Sequence, residues 1–277
     1  MRLANLDGRS TIVLPEGGLD VAHATDGAFS SDPLEAIERI DELVALAPSL
    51  DGPLQMLTQG LLRAPSPRPA QMMAIGMNFH SHAAEMGLEV SKIPAVFTKF
   101  RSALGRPFGE IVLASETVDY EVELVVIIKK HTFKVAAENA WDHVAGLCVG
   151  QDLSDRAVQM GAGRQFSLGK SYPGFAPFGP WISTLDEFAD PNDVRIACSV
   201  DGVTVQDART TDMVFPIPEA LAQISAVIEL YPGDVLYTGS PAGAGQGHTP
   251  PRYLQPGQEL VTWAESIGEM SHQLVSG

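Results

Sequence analysis

The run VDYEVELVVIIKK (118–130) constrains this chain more than any other stretch. Side chains on a strand alternate faces, so Asp119, Glu121, Glu123, Val125 and Ile127 share one face, and Tyr120, Val122, Leu124, Val126 and Ile128 the other. Both faces are apolar at the far end, as in a strand covered on two sides. The acids therefore lie where the strand enters a core. In an extended chain the Cβ atoms of Glu121 and Glu123 stand about 7 Å apart, a span two Glu side chains can close onto one ion. Two readings stay open: the acids sit at a solvated strand end, or a cation lies between carboxylates that would otherwise repel.

Such a strand needs partners, and MMAIGM, PAVFTKF, VAGLCVGQD, VRIACSVDG, DVLYTGS and QELVTWAE supply them. With 26 Gly and 20 Pro in 277 residues, turns are frequent and strands short. Pro-Gly turns at 232–234 and 256–258 each introduce a strand. Helical stretches are expected around 82–86, 154–160 (with Ser154 as cap) and 218–230. Residues 1–69 differ in character. RLANLDGRSTIVL gives two strands about a DG turn, and Asp32 and Pro33 open a helix whose apolar residues are Leu34, Ile37, Ile40 and Val44. Glu35 and Arg39, four apart, are placed to pair. APSPRPA (64–70) reads as a stiff connector. The expected class is mixed α+β, mainly β, with a small N-terminal α+β domain (1–69) and a larger strand-rich one (70–277).

Charge excludes some partners. A net −16, from 18 basic and 34 acidic residues, opposes contact with nucleic acid or anionic lipid. No apolar run approaches the roughly 20 residues of a membrane span, and MRLANLDGRS lacks the basic and apolar regions of a signal peptide. With two cysteines, Cys148 and Cys198, the expectation is a cytoplasmic protein with reduced thiols. Two glycine-rich runs mislead. GRQFSLGKS (163–171) has the wrong spacing for a phosphate-binding loop, and GAGQG (243–247) is not followed by the helix a dinucleotide fingerprint requires.

A third acid, Asp152, follows the apolar strand in GLCVGQDLSDRAVQ, where an Asp either turns the chain or ligates. Three carboxylates suit Mg²⁺ or Mn²⁺, with Ca²⁺ sharing the donor preference, and the absence of a His/Cys cluster argues against zinc. His82 and Glu85, three apart, face each other on one helical turn, as an ion pair or as a catalytic pair, with Ser81 as cap and Gly87 as stop. Lys99, after a strand, either reaches substrate or is an exposed strand-end lysine. Thr238 and Gly239 form a turn that is either plain or offers N–H groups to a carboxylate. His80 reads as structural or exposed, and Cys148 as core packing.

Taken together these motifs resemble the fumarylacetoacetate hydrolase family: GMNFHSHAAEM (76–86), VDYEVEL, QDLSDRAVQ, KSYPGFAPFGPW (170–181) and PGDVLYTGSPAGAG (232–245) occur in its order. The resemblance, over about 70–265, implies that family's β-roll, a homodimer, and a divalent metal on Glu121, Glu123 and Asp152. It further implies a small 2-oxo acid substrate, of acylpyruvate or diketo type, cleaved at a carbon–carbon bond with an enolate leaving. Glu85 and His82 become the water-activating pair, Lys170 joins them as a catalytic cation, and Lys99, Arg156, Gln159, Thr238 and Gly239 become substrate contacts. Decarboxylation of an oxaloacetate-type acid, isomerisation of an unsaturated dioxo acid, and a silent carboxylate binder are the alternatives. The chain departs from the family pattern at Phe100, Gln151, Pro173 or Gly174, and Ser240, and Phe100, Arg101 and residues 105–110 are expected to shape the pocket.

Overall fold

The structure is a computed structural model that describes residues 1–161, 163 and 165–277. Its centre is the strand Val122–Ile128, all seven residues buried. Leu124, Val126 and Ile128 pack with Ile196, Leu260 and Met270, whereas Val125 and Ile127 pack with Phe29, Ile37 and Leu43. The strand is thus covered on both faces, as its composition requires.

The large sheet runs, in spatial order, through Gly17–Asp20, Arg9–Leu14, Arg2–Leu6, Ala176–Ser183, Val144–Gln151, Val122–Ile128, Val235–Tyr237, Met72–Gly76 and Ala95–Thr98. These neighbours are antiparallel, except that Val235–Tyr237 and Met72–Gly76 are parallel. The N-terminal hairpin joins this sheet directly, Arg2 opposite Ser183 and Leu3 opposite Ile182. A second sheet of five strands, Val203–Arg209, Arg195–Val200, Glu259–Ala264, Gly268–Ser276 and Phe108–Leu113, closes the other side. The N-terminal helix Pro33–Glu38 is capped as expected, the Asp32 carboxylate accepting the Leu34 N–H, and Arg39 pairs with Glu35 at 2.7 Å.

Two local expectations are corrected. The acid-bearing run is not one continuous strand: Val118–Asp119 pairs with Ser154–Asp155, and the main strand begins only at Val122. The cause lies far away in sequence. The Glu121 N–H donates to Gln151 Oε1 and the Val122 N–H to Gln206 Oε1, so side chains take over from the ladder at the bend. The helix Arg156–Gly161 is not capped by Ser154, whose hydroxyl donates to the Asp152 carbonyl. Asp155 instead accepts the Val158 N–H, and the Thr117 hydroxyl accepts that of Ala157.

Candidate active site

Antiparallel pairing sets Glu123 opposite Gly150, and two residues further the Asp152 N–H donates to the Glu121 carbonyl. This register brings Asp152 beside both glutamates: ligand oxygens of Glu121, Glu123 and Asp152 all lie within 4.8 Å of one another, and all three residues are buried. Asp119, on the near side of the bend, turns away. Its carboxylate accepts the N–H groups of Gly245 (2.7 Å) and Gln246 (2.9 Å) and the Arg156 guanidinium. The GAGQG run therefore does offer backbone N–H groups to an acid, and the acid is the protein's own. A Cβ on Gly245 would lie 1.8 Å from the Arg252 carbonyl oxygen, so only glycine permits this approach.

Three basic side chains enclose the carboxylates. Lys170 donates to Glu121 Oε2 at 2.6 Å and to Asp152 Oδ2 at 2.5 Å. Arg156 reaches Glu121 Oε1 at 2.6 Å, Asp119 Oδ2 at 2.8 Å through Nε, and Gln159 Oε1 at 2.9 Å. Lys99 is not at the surface as a strand-end lysine would be: it is 1% exposed and donates to Asp152 Oδ1. Burial pushes its ammonium pKa down against the pull of Asp152. The two glutamates respond oppositely to their surroundings. Burial opposes ionisation of Glu121, yet Lys170 and Arg156 outweigh it and hold its carboxyl well below the ordinary range. Glu123 receives the Gly239 N–H at 2.6 Å, and burial, reinforced by Asp152 and Glu121, pushes its carboxyl well above it.

This imbalance tests whether the residues fit a metal. Four buried carboxylates (Asp119, Glu121, Glu123, Asp152) face three buried basic groups (Lys99, Arg156, Lys170), and Glu123 has none of the three as a hydrogen-bonding partner among the described residues. A buried all-oxygen donor set with excess negative charge is what a hard divalent cation requires. Glu121, Glu123 and Asp152 fit one.

His82, buried on the helix His80–Glu85, places Nδ1 3.1 Å from Glu85 Oε2. The Gly243 N–H donates to the other Glu85 oxygen at 3.0 Å. The helix has no side-chain cap, but Ser81 N–H donates to Asp212, and Gly87 follows at φ 63° as the expected stop. His82, the three clustered acids, Arg156, Gln159 and Lys170 open on one cavity of about 270 Å³. Thr238 and Gly239 do not line it. The Thr238 hydroxyl donates to the Leu124 carbonyl and the Gly239 N–H to Glu123, so this turn braces the site from behind. Phe100, Arg101 and residues 105–110 do not line it either. Phe100 is 53% exposed, and 105–110 border a separate hollow with Gly174 and His272.

Residues unflagged by the motifs complete the walls: Met77, Met86, Leu88, Phe97, Met160 and Phe166. Met77 has φ 56°, a left-handed conformation that is uncommon for a residue with a long side chain. Phe166 meets Phe97 edge to face, with centroids 5.6 Å apart, and Lys170 Nζ lies 5.0 Å from the Phe97 centroid.

A β-roll whose buried acids share a cavity with a histidine paired to Glu85 defines the class, and comparison gives the family. Residues 71–275 match the family described as Fumarylacetoacetate (FAA) hydrolase C-terminal. The chain belongs to that family. It is 36% identical over 266 residues to oxaloacetate tautomerase Fahd2a, mitochondrial, of Rattus norvegicus, covering 94% of this chain and 84% of the relative. A crystal structure from Mycobacterium smegmatis is 41% identical with a TM-score of 0.94, each chain fully covered. Maleylpyruvate hydrolase from Sphingobium sp. SYK-6, in complex with manganese(II) and pyruvate, is 31% identical with a TM-score of 0.81, again over both whole chains. Among the described residues no helix is long and apolar enough to cross a membrane.

Proposed function

We propose that this protein hydrolyses a carbon–carbon bond in a small 2-oxo acid of acylpyruvate or diketo type, with Mg²⁺ or Mn²⁺ held by Glu121, Glu123 and Asp152. The observation that carries the reading is the His82–Glu85 pair, 3.1 Å apart, with His82 lining the carboxylate cavity. The manganese complex of the related maleylpyruvate hydrolase supports the metal. When bound, the cation supplies Lewis acidity at the substrate's 2-oxo group.

The chain's own residues supply the rest. Glu85, fixed by the Gly243 N–H, accepts a hydrogen bond from Nδ1–H and so leaves the Nε2 lone pair of His82 as the base. His82 takes a proton from water. The resulting hydroxide attacks the acyl carbonyl, and the bond between that carbon and the neighbouring methylene breaks, giving a carboxylic acid and the enolate of pyruvate, to which His82 returns its proton. Lys170 and Arg156 place positive charge beside the substrate's carboxylate and oxo oxygens.

A second reading, proton transfer between keto and enol forms, is favoured by the tautomerase relative, because the same base can move a proton between atoms. Incubation of acetylpyruvate with Mg²⁺ or Mn²⁺, and with EDTA, separates the two when products are identified by NMR. Hydrolysis yields acetate and pyruvate together, ceases in EDTA and in Glu121→Ala, and falls by about 10²–10⁴-fold in His82→Ala. Tautomer exchange without acetate would replace the hydrolase reading with the second one.

A further inference from the structure

The cavity is graded from apolar at its rim to charged at its floor. Its floor holds Glu121, Glu123 and Asp152, at most 6% exposed, while its rim carries Met86, Leu88 and Met160 at 38%, 48% and 53%. These rim residues extend the elements that carry the polar groups. Met86 and Leu88 follow the helix of His82, and Met160 lies one residue beyond Gln159. Between floor and rim stand Phe97 and Phe166.

Each basic group lining the cavity among the described residues is already engaged at the floor. Arg156 is shared between Asp119 and Glu121, Lys170 between Glu121 and Asp152, and His82 faces Glu85. Gln159, Ser240 and Gln246 are the neutral polar neighbours. They give hydrogen bonds but no charge, and the Gln159 and Gln246 carbonyls are taken by Arg156 and the Tyr253 hydroxyl. A substrate oriented with its keto-acid end at the floor directs its other end along two Phe rings toward two Met and a Leu. An anionic group there would lose hydration without gaining a cation from the described residues, whereas an alkyl or aryl group would cover apolar side chains now facing water.

Resting on the keto-acid reading of the floor, we infer that the substrate's tail is apolar and bears no second carboxylate. Met86, Leu88, Phe97, Met160 and Phe166 determine that specificity. Oxaloacetate, with a second carboxylate and no tail, would leave the apolar rim uncovered and is not the preferred substrate.

The test is calorimetric binding of oxamate and N-alkyl oxamates to the Mn²⁺-loaded protein, which needs no turnover. Affinity is expected to rise about threefold per methylene from methyl to hexyl. An N-alkyl oxamate of matching length ending in a carboxylate should bind at least an order of magnitude more weakly than the hexyl compound. In the exposed-position variants Leu88→Lys and Met160→Lys that order should narrow or reverse. Affinity independent of tail length, or a carboxylated tail binding as well as the hexyl one, would overturn the inference while leaving the floor's role intact. Absence of binding by every oxamate, tailless oxamate included, would sink the keto-acid reading and the inference with it.

Discussion

Two aspartates, each held by basic groups, occupy very different settings. Asp20, at the end of the strand Gly17–Asp20, accepts Arg9 Nε at 2.6 Å and Arg9 Nη2 at 3.0 Å, and caps the helix Val21–Ala24 through the His23 N–H. Arg9 is 49% exposed on its side chain, so water screens the pair. Asp152 accepts Lys99 on one oxygen and Lys170 on the other, and all three are buried. The contacts look alike on paper, yet their consequences differ. A surface pair can lose a partner to water, whereas a buried charge that loses its partner has nothing to replace it. The N-terminal pair shapes a turn. The buried cluster concentrates charge that stability alone would not select, which marks a site of chemistry.

The largest effect should come from removing one buried partner. Lys99→Met leaves Asp152 Oδ1 facing an apolar side chain, and a loss of about 3–5 kcal/mol is expected in urea unfolding with EDTA present. Saturating Mg²⁺ should restore part of it, because an ion that binds only the folded state stabilises by mass action. A loss within 1 kcal/mol would mean that Asp152 does not depend on Lys99, and the two settings would be less different than their burial implies.

Next in size, and opposite in sign, is Glu123→Gln. Burial together with Asp152 and Glu121 raises the Glu123 carboxyl above its unfolded value, so the metal-free folded state holds a proton the unfolded chain releases. That contribution is fully present below the unfolded Glu range, about 4.3, and is lost as pH climbs through the raised folded value. The glutamine variant lacks this penalty. It should therefore be more stable than the wild type without metal at neutral pH, by about 0.5–2 kcal/mol, with the advantage growing as pH rises, and it should bind Mn²⁺ far more weakly. A pH-independent gap, or unchanged Mn²⁺ affinity by calorimetry, would remove Glu123 from the site.

How much of this could be read in advance divides along the same line. Glu121 and Glu123, the His–Glu pair and the apolar far end of the central strand were legible because local periodicity carries them: residues two apart share a strand face, and residues three apart share a helix face. Asp152 joined them through its place after an apolar strand and the family resemblance. The bend at Tyr120–Glu121 was not legible. It depends on Gln151 and Gln206, which reach the backbone from 30 and 84 positions away, and nothing inside DYEVEL signals it. Asp119 left the shared face for the same reason. Lys99 read either as a substrate contact or as an exposed strand-end lysine, and its burial was not legible because it depends on Asp152, 53 positions later. Thr238 and Gly239 had the turn chemistry expected of them, but the carboxylate that Gly239 meets is Glu123. The cavity walls were invisible too, since Met86, Leu88, Met160 and Phe166 come together only through the fold.

The smallest expected effect belongs to the exposed side of the comparison. Asp20→Ala removes both the helix cap and the Arg9 contact and should cost about 1 kcal/mol, whereas Asp20→Asn keeps a capping oxygen and should cost less. The hydrogen bond from Arg9 holds the Asp20 carboxyl below its ordinary value, against burial. The charge contribution is therefore present above the unfolded Asp range, about 3.9, and is lost as pH falls through the lowered folded value. The stability difference between wild type and Asp20→Asn should close over that acid window, shrink in added salt at neutral pH, and ignore Mg²⁺ altogether. If it instead persisted at the lowest pH or responded to Mg²⁺, Asp20 would not be acting through Arg9, and the surface pair would be coupled to the buried site that the contrast sets apart from it.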